Sequence, residues 1–293
     1  MTPFAAYNLA IQSPERNPEL EEIILQEDRS TYYYISDYLK DRWTEGEDVI
    51  CNNCDLALRY AIRFLNGERF YKAEAAILKY RYTAVKYAKE VIKGRWTEAE
   101  TIYLQDANDA AYYAKEVIQG PWPEAEDIIA NCSVAALDYA ENVIKKRWTK
   151  GEQAILQDGY IAACYASEVI GGRWTEAENV ISTDLEGIFH YAAHVLEARW
   201  SEAEHLLLTN ASMAFDYALH VIGGRWTEAE PILSTNATVA VPYAIYLLRR
   251  RFYDAERNIL SGDRDLITEY ESAFDISLDV ECCDGISWQK EGF

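Results

Sequence analysis

The chain has 293 residues and is acidic, with 49 Asp and Glu against 28 Lys and Arg and a formal net charge of −21. This excess of negative charge repels nucleic-acid phosphates and anionic lipids and attracts basic protein surfaces, so we expect neither nucleic-acid nor membrane binding. The sequence also contains no run of 18 apolar residues that could span a membrane.

In chain order, residues 1–13 predict an N-terminal capping helix, and residues 14–276 form tandem repeats with a period of 26 residues. A tyrosine recurs in every repeat, at Tyr34, Tyr60, Tyr87, Tyr113, Tyr139, Tyr165, Tyr191, Tyr217 and Tyr243. A second ring recurs at Trp43, Phe70, Trp96, Trp122, Trp148, Trp174, Trp200, Trp226 and Phe252. Residues 277–293 form an acidic tail.

Each repeat predicts a short first helix, a polar turn and a longer second helix. Thr97 and Glu100 have the spacing of a capping box at the start of the first helix. Apolar residues at i, i+3, i+4, i+7 and i+8, from Ala84 to Ile92, predict the second helix, which would end at a left-handed glycine. Those glycines are Gly94, Gly120, Gly171 and Gly223. The expected fold is all-α: an α-solenoid superhelix of about ten helical hairpins.

An arginine precedes the ring and a glutamate follows it by four residues in nearly every repeat, which predicts a structural ladder of ion pairs beside the tryptophans. The ladder residues are Arg95, Glu100, Arg147, Glu152, Arg173, Glu178, Arg199, Glu204, Arg225 and Glu230. We interpret them as capping and as salt bridges between repeats rather than as a catalytic or ion-binding row.

The residue before each core tyrosine is variable and should follow one exposed stripe on the second helices, so these residues are our candidates for partner contacts. They are Lys86, Tyr112, Asp138, Cys164, His190 and Asp216. A merely solvated face is the alternative.

Two groups of possible metal ligands are present. Cys51 and Cys54 have the spacing of half a zinc knuckle, and His190, His194, His205 and His220 cluster in sequence. Neither group supplies a convergent set of three or four ligands, so we expect core or turn packing for the cysteines and no metal or cofactor. Cys282 and Cys283 in the tail are equally unconvincing as ligands, and cysteines without a disulfide framework favour a reducing cytoplasm.

The string Gly-Arg-Trp-Thr-Glu-Ala-Glu stands at residues 94–100, 172–178 and 224–230. It resembles the short tandem repeats, of Lys-Gly-Arg-Trp-Pro-Glu-Ala-Glu type, of bacteriophage-encoded proteins, over about residues 14–276. The resemblance implies a phage origin and action in the bacterial host cytoplasm, and it carries no catalytic residues. The roles of small acidic phage proteins include blocking host defence enzymes, some by imitating DNA.

We therefore expect a non-enzymatic protein that binds a partner protein with a basic surface. The expected partner is a host defence protein or a nucleic-acid-binding protein. A more specific form of this hypothesis is that the chain imitates DNA. Neither a Gly-x-Ser-x-Gly motif nor a glycine-rich phosphate loop is present. One alternative is a structural scaffold or spacer that self-associates through terminal faces near Tyr7 or Tyr270. Another is a protein that sequesters a nucleotide between repeats with the ladder arginines.

Overall fold

The computed structural model describes residues 1–278, which form helices joined by turns, without a β-strand. This confirms the all-α class. Contacts divide the chain into two units, residues 1–144 and the residues from Lys145 onward. Residues 279–293, which hold most of the acidic tail together with Cys282 and Cys283, lie outside the described residues.

The N-terminal capping helix is Pro3–Ala10. Thr2 caps it, since its hydroxyl accepts a hydrogen bond of 3.2 Å from the amide of Ala5. Ala6 and Ala10 are buried where the helix packs on the first hairpin of the repeats.

Ten hairpins follow, five in each unit. In the first unit their helices are Pro18–Ile24 and Asp28–Tyr34, Thr44–Ile50 and Cys54–Phe64, Tyr71–Ile77 and Arg81–Tyr87, Thr97–Tyr103 and Ala107–Tyr113, and Glu126–Ile129 and Ser133–Tyr139. In the second they are Thr149–Ile155 and Gly159–Tyr165, Glu178–Ile181 and Leu185–Tyr191, Glu204–Leu207 and Ala211–Tyr217, Glu230–Leu233 and Ala237–Pro242, and Tyr253–Leu260 and Arg264–Phe274. Short 3₁₀ turns, Thr175–Ala177 and Thr227–Ala229, precede two of the first helices.

Most second helices change from α to π geometry at the core tyrosine. In these turns the amide of Gln119, for example, donates to the carbonyl of Ala114, five residues back, at 2.7 Å. The π turns are Ile35–Leu39, Ala88–Ile92, Ala114–Ile118, Ala140–Ile144, Ala166–Ile170, Ala192–Leu196, Ala218–Ile222 and Tyr243–Leu248. The sequence predicted a continuous α-helix because the apolar spacing is compatible with either geometry.

The predicted glycine caps are correct at Gly171 and Gly223 and wrong at Gly94 and Gly120. The left-handed residue in the latter two hairpins is the one before the glycine, Lys93 with φ 58° and Gln119 with φ 57°. In every case the left-handed residue directly follows the π turn and lies three residues before the ring. Gly94 and Gly120 lie only two residues before the ring, at the position of Gly172 and Gly224, so they do not carry the positive φ.

The predicted capping box is also wrong. The N-cap residue is Trp96, with extended backbone angles, and Thr97 is already the first helical residue. Glu100 is then one position too far into the helix to reach back to the N-cap, and its carboxylate binds Arg95 instead.

The core is formed by the recurring rings, as the sequence predicted. The tyrosine of every hairpin, from Tyr34 to Tyr270, is 0% exposed, and the ring before each first helix, from Trp43 to Phe252, is buried. Adjacent second helices within each unit contact one another, as Cys54–Phe64 contacts Arg81–Tyr87 and Leu185–Tyr191 contacts Ala211–Tyr217.

Candidate interaction surface

A buried polar network ties the two helices of each hairpin together. In the hairpin of Trp174, the backbone N–H of Trp174 donates to the hydroxyl of Tyr191 at 2.8 Å, and this hydroxyl donates to Oε1 of Glu178 at 3.1 Å. Arg173 donates to both oxygens of the same carboxylate, at 2.6 and 3.1 Å. We call these four residues, and their counterparts in the other hairpins, the hairpin network.

The bond from the ring residue's amide to the tyrosine hydroxyl recurs in nine hairpins at 2.6–3.0 Å. A helix leaves its first amides without intrahelical partners, and here the second helix supplies an acceptor next to them. The tyrosine hydroxyl thus accepts from the amide of the N-cap residue, and the predicted threonine cap is not formed.

Each ladder arginine lies in an ion pair with the glutamate five residues later in its own hairpin, at 2.5–2.7 Å in the five predicted pairs. The ladder also reaches the next hairpin. Arg95 lies 3.7 Å from Glu124, and the guanidinium of Arg199 lies 6.0 Å from the ring centroid of Trp226.

The network perturbs the titration of its members. Burial raises the pKa of Tyr113, Tyr165 and Tyr191 to about 12. Burial favours the neutral form of Glu21, but hydrogen bonds from Arg16 and Tyr34 outweigh it and lower the pKa of this carboxyl. Burial and pairing inside the hairpin therefore account for these shifts.

A second set of carboxylates lies outside the network. Each stands two residues after the ring, on the exposed side of the first helix, and we call the set the first-helix carboxylate row. Its members are Glu19, Glu45, Glu98, Glu124, Glu176, Glu202, Glu228 and Asp254, and all are exposed. Lys72 and Lys150 interrupt it. The side chains of Glu98 and Glu124 are 60% and 59% exposed.

The predicted partner stripe is only partly open to solvent. Lys86 and Tyr112 are exposed, whereas Asp138, Cys164, His190 and Asp216 are half-buried. Asp138 accepts from Lys115 at 3.0 Å and from Asn142 at 2.8 Å. The contact with Lys115 joins neighbouring hairpins, so a partner would have to compete with Lys115 for the Asp138 carboxylate.

His190 lies among other side chains of the second unit. Its Nε2 is 2.9 Å from the hydroxyl of Ser167, and its ring centroid is 4.6 Å from that of His194 and 5.9 Å from that of Tyr160. Burial and the adjacent His194 lower the pKa of His190. Within residues 1–278, His, Cys, Asp and Glu side chains do not form a group of three or more able to hold a metal ion.

An open pocket in the second unit is lined by three arginines, Arg225, Arg250 and Arg251, and by Phe252 and Tyr253. Arg225 and Arg251 are paired with Glu230 and Glu256, whereas Arg250 is exposed and makes no ion pair within the described part of the chain. Glu230 and Asp254 also line the pocket, which places negative charge beside the guanidinium groups.

Searches of protein-family models, curated proteins and solved structures find no match to this chain. Among the described helices, none combines the length and the apolar character that crossing a membrane requires.

Proposed function

We propose that the hairpins stack into an α-solenoid superhelix whose task is binding rather than catalysis. Contacts between consecutive second helices within each unit support the stacking, and the hairpin network supports the assignment of the ladder to structure. Its arginines and glutamates neutralise each other within the hairpin, which supports a structural role for these pairs.

The observation that carries the binding proposal is the first-helix carboxylate row. Each ladder arginine is matched by a largely buried glutamate, as Arg199 is by Glu204, whose side chain is 9% exposed. The exposed carboxylate of the row, such as Glu202, therefore adds net negative charge to its hairpin. A regular acidic surface of this kind fits a partner protein with a basic surface.

The partner we propose is a bacterial host protein that binds nucleic acid or acts in defence. This chain would be a phage-encoded inhibitor that binds it in the host cytoplasm. DNA mimicry is the sharper form of this proposal. Duplex DNA carries one phosphate charge per ~1.7 Å of its axis, so the net charge of −21 equals that of roughly 36 Å of duplex. The resemblance of the repeats to those of phage proteins supports a phage origin of the chain. It does not indicate which host protein is the target.

The test is capture of proteins from bacterial lysate on the immobilised protein, with and without competing duplex DNA. We expect to capture a nucleic-acid-binding protein, and we expect duplex DNA and added salt to release it from the immobilised chain. The reason is that its basic surface would make the same contacts to DNA as to this chain. Replacement of five row residues by glutamine should abolish the capture. The variant is E98Q/E124Q/E176Q/E202Q/E228Q.

The matched control changes the same net charge at exposed glutamates outside the row, and it should keep the capture. It is E90Q/E141Q/E168Q/E186Q/E197Q. Equal loss of the captured protein in the two variants would show that only the net charge matters and not the position of the row. A captured protein that neither DNA nor salt releases would contradict the proposal of DNA mimicry.

A nucleotide-sequestering function is a second candidate, favoured by the pocket lined by Arg225, Arg250 and Arg251. Arginines suit phosphates, because the planar guanidinium can donate two hydrogen bonds to one phosphate group. Titration calorimetry with a cyclic dinucleotide tests it: binding that Arg250→Ala removes would support it, and absence of heat would reject this ligand class for the pocket.

A further inference from the structure

One segment of the first unit reverses the charge of the rest of the chain. Residues 59–95 contain ten Lys and Arg against three acidic residues, whereas the remaining residues contain 46 acidic and 18 basic ones. A basic segment of this density stands out in an acidic protein, and it produces a local field opposite to that of the whole molecule.

Several of these cations lie on two second helices that contact each other, Cys54–Phe64 and the helix and π turn of residues 81–92. Arg59 and Lys86 precede Tyr60 and Tyr87, so they occupy equivalent positions one repeat apart. Both are exposed and form no hydrogen bond or ion pair with residues 1–278. By contrast, Arg63 donates to the hydroxyl of Ser36 at 2.7 Å, and Lys89 is paired with Glu116.

An aromatic surface adjoins these cations. Tyr82 lies four residues before Lys86, on the same face of its helix, and is 71% exposed. Tyr112, in the next hairpin, is 37% exposed. Interface cores are rich in tyrosine and interface rims in charge, so this surface has the composition of a protein interface. We call Arg59, Lys86, Tyr82 and Tyr112 the basic patch.

We propose that the basic patch binds the first-helix carboxylate row of a second copy of this chain. Charge complementarity is the first argument, because the row is a regular exposed acidic surface of the same protein. Register is the second argument. The two cations are one repeat apart, and consecutive row members such as Glu202 and Glu228 are also one repeat apart. The donors and the acceptors therefore recur once per repeat.

One such contact uses the patch of one copy and the row of the other, so the pair keeps one unused row and one unused patch. A single heterologous contact of this kind can continue to further copies. The expected behaviour is a concentration-dependent series of oligomers. At about 0.15 M salt the Debye length is ~8 Å, which screens the overall repulsion between acidic molecules while preserving ion pairs in contact.

Sedimentation velocity over a range of protein concentration tests this, at about 0.15 M salt and again at about 1 M. We expect oligomers at the lower salt that dissociate at the higher one. The charge-reversal variant R59E/K86E should associate about tenfold more weakly or not at all, since loss of one strong contact corresponds to about tenfold in affinity. The control K146E/R257E reverses two exposed cations outside the patch and should associate like the wild type.

A charge swap makes the test specific for the surfaces named. The variant E202K/E228K should also associate with itself more weakly than the wild type does, but mixed with R59E/K86E it should associate, because every patch–row contact between the two variants joins opposite charges. In a mixture with wild type, each variant should bind through its intact surface and end the oligomer at that point. Circular dichroism confirms that both variants keep the helical content of the wild type.

Three outcomes would overturn the proposal: a wild type that is monomeric at both salt concentrations, oligomers that resist high salt, or variants that associate like the wild type. A fluorescent single-stranded oligonucleotide serves as the competing ligand. If the wild type binds it through the patch while remaining monomeric, the patch is a nucleic-acid site and not a self-association surface.

Discussion

The backbone N–H of Trp174 donates a 2.8 Å hydrogen bond to the hydroxyl of Tyr191, seventeen residues later. The donor stands at the start of the first helix and the acceptor in the middle of the second, and both residues are buried. A phenylalanine would fill the same space but would leave this amide without its acceptor. The hydroxyl therefore explains why the recurring core residue is tyrosine.

Tyr191→Phe should reduce the free energy of unfolding by about 1–3 kcal/mol, because it leaves the buried amide of Trp174 unpaired and removes a donor from Glu178. Urea unfolding followed by circular dichroism measures the change. Tyr82→Phe is the matched control, since its side chain is 71% exposed, and it should change the stability by less than about 0.5 kcal/mol. Equal effects of the two substitutions would contradict the role of the hydroxyl.

The core tyrosines predict unfolding at alkaline pH. Burial raises the pKa of Tyr113, Tyr165, Tyr191 and Tyr243 to about 12, above the value of about 10 for a tyrosine in an unfolded chain. A raised folded-state pKa stabilises the fold below pH ~10, and this contribution is lost as the pH rises toward 12. Tyrosinate absorbance and helical circular dichroism should therefore change together in that window. Full ionisation with the helices intact would refute this.

The left-handed residues after the π turns offer a stabilising substitution. Gln119 has φ 57°, which costs a residue with a side chain roughly 1 kcal/mol relative to glycine, so Gln119→Gly should raise the stability by about that amount. Gly171→Ala makes the opposite change at the equivalent position, where φ is 71° and an added Cβ would meet nothing within 4 Å. Thermal unfolding should move in opposite directions for the two variants, and a shift of the same sign would show that the backbone angle is not the cause.

Two glycines set the distance between neighbouring second helices in the second unit. A Cβ on Gly187 would lie 2.8 Å from the carbonyl oxygen of Gly159, so Gly187→Ala must push the helices apart. We expect a loss of about 1–3 kcal/mol in urea unfolding. Gly172→Ala is the control, because a Cβ there contacts nothing within 4 Å, and its effect should be several times smaller. A tolerated Gly187→Ala would mean that this close approach is dispensable.

The periodicity of the rings was sufficient to predict the helical class, the hairpins and the buried residues. It could not reveal how the first helix is capped, because the capping-box spacing suggested a local solution with threonine. A signal was nevertheless present. Phe70 and Phe252 replace tryptophan at the ring position, whereas the hydroxyl of the core tyrosine is kept in all the hairpins.

The indole nitrogens explain this difference. Nε1 of Trp96, Trp122, Trp174 and Trp226 is buried without a hydrogen-bond partner among the described residues, so the indole acts as an apolar ring and phenylalanine can take its place. The π turns had no comparable signal. The same alanine and valine residues fit either helix geometry.

The hairpin network has an evolutionary consequence, because the hydrogen bonds of its buried amide, hydroxyl and carboxylate lie within one repeat. Arg173, Trp174, Glu178 and Tyr191 span nineteen residues, and the next hairpin has its own complete set. Unequal recombination in the gene can therefore insert or remove 26 codons without leaving a buried polar group unpaired. An in-frame deletion of residues 173–198 should give a shorter, folded chain, whereas a deletion of half that length should not, and circular dichroism distinguishes the two.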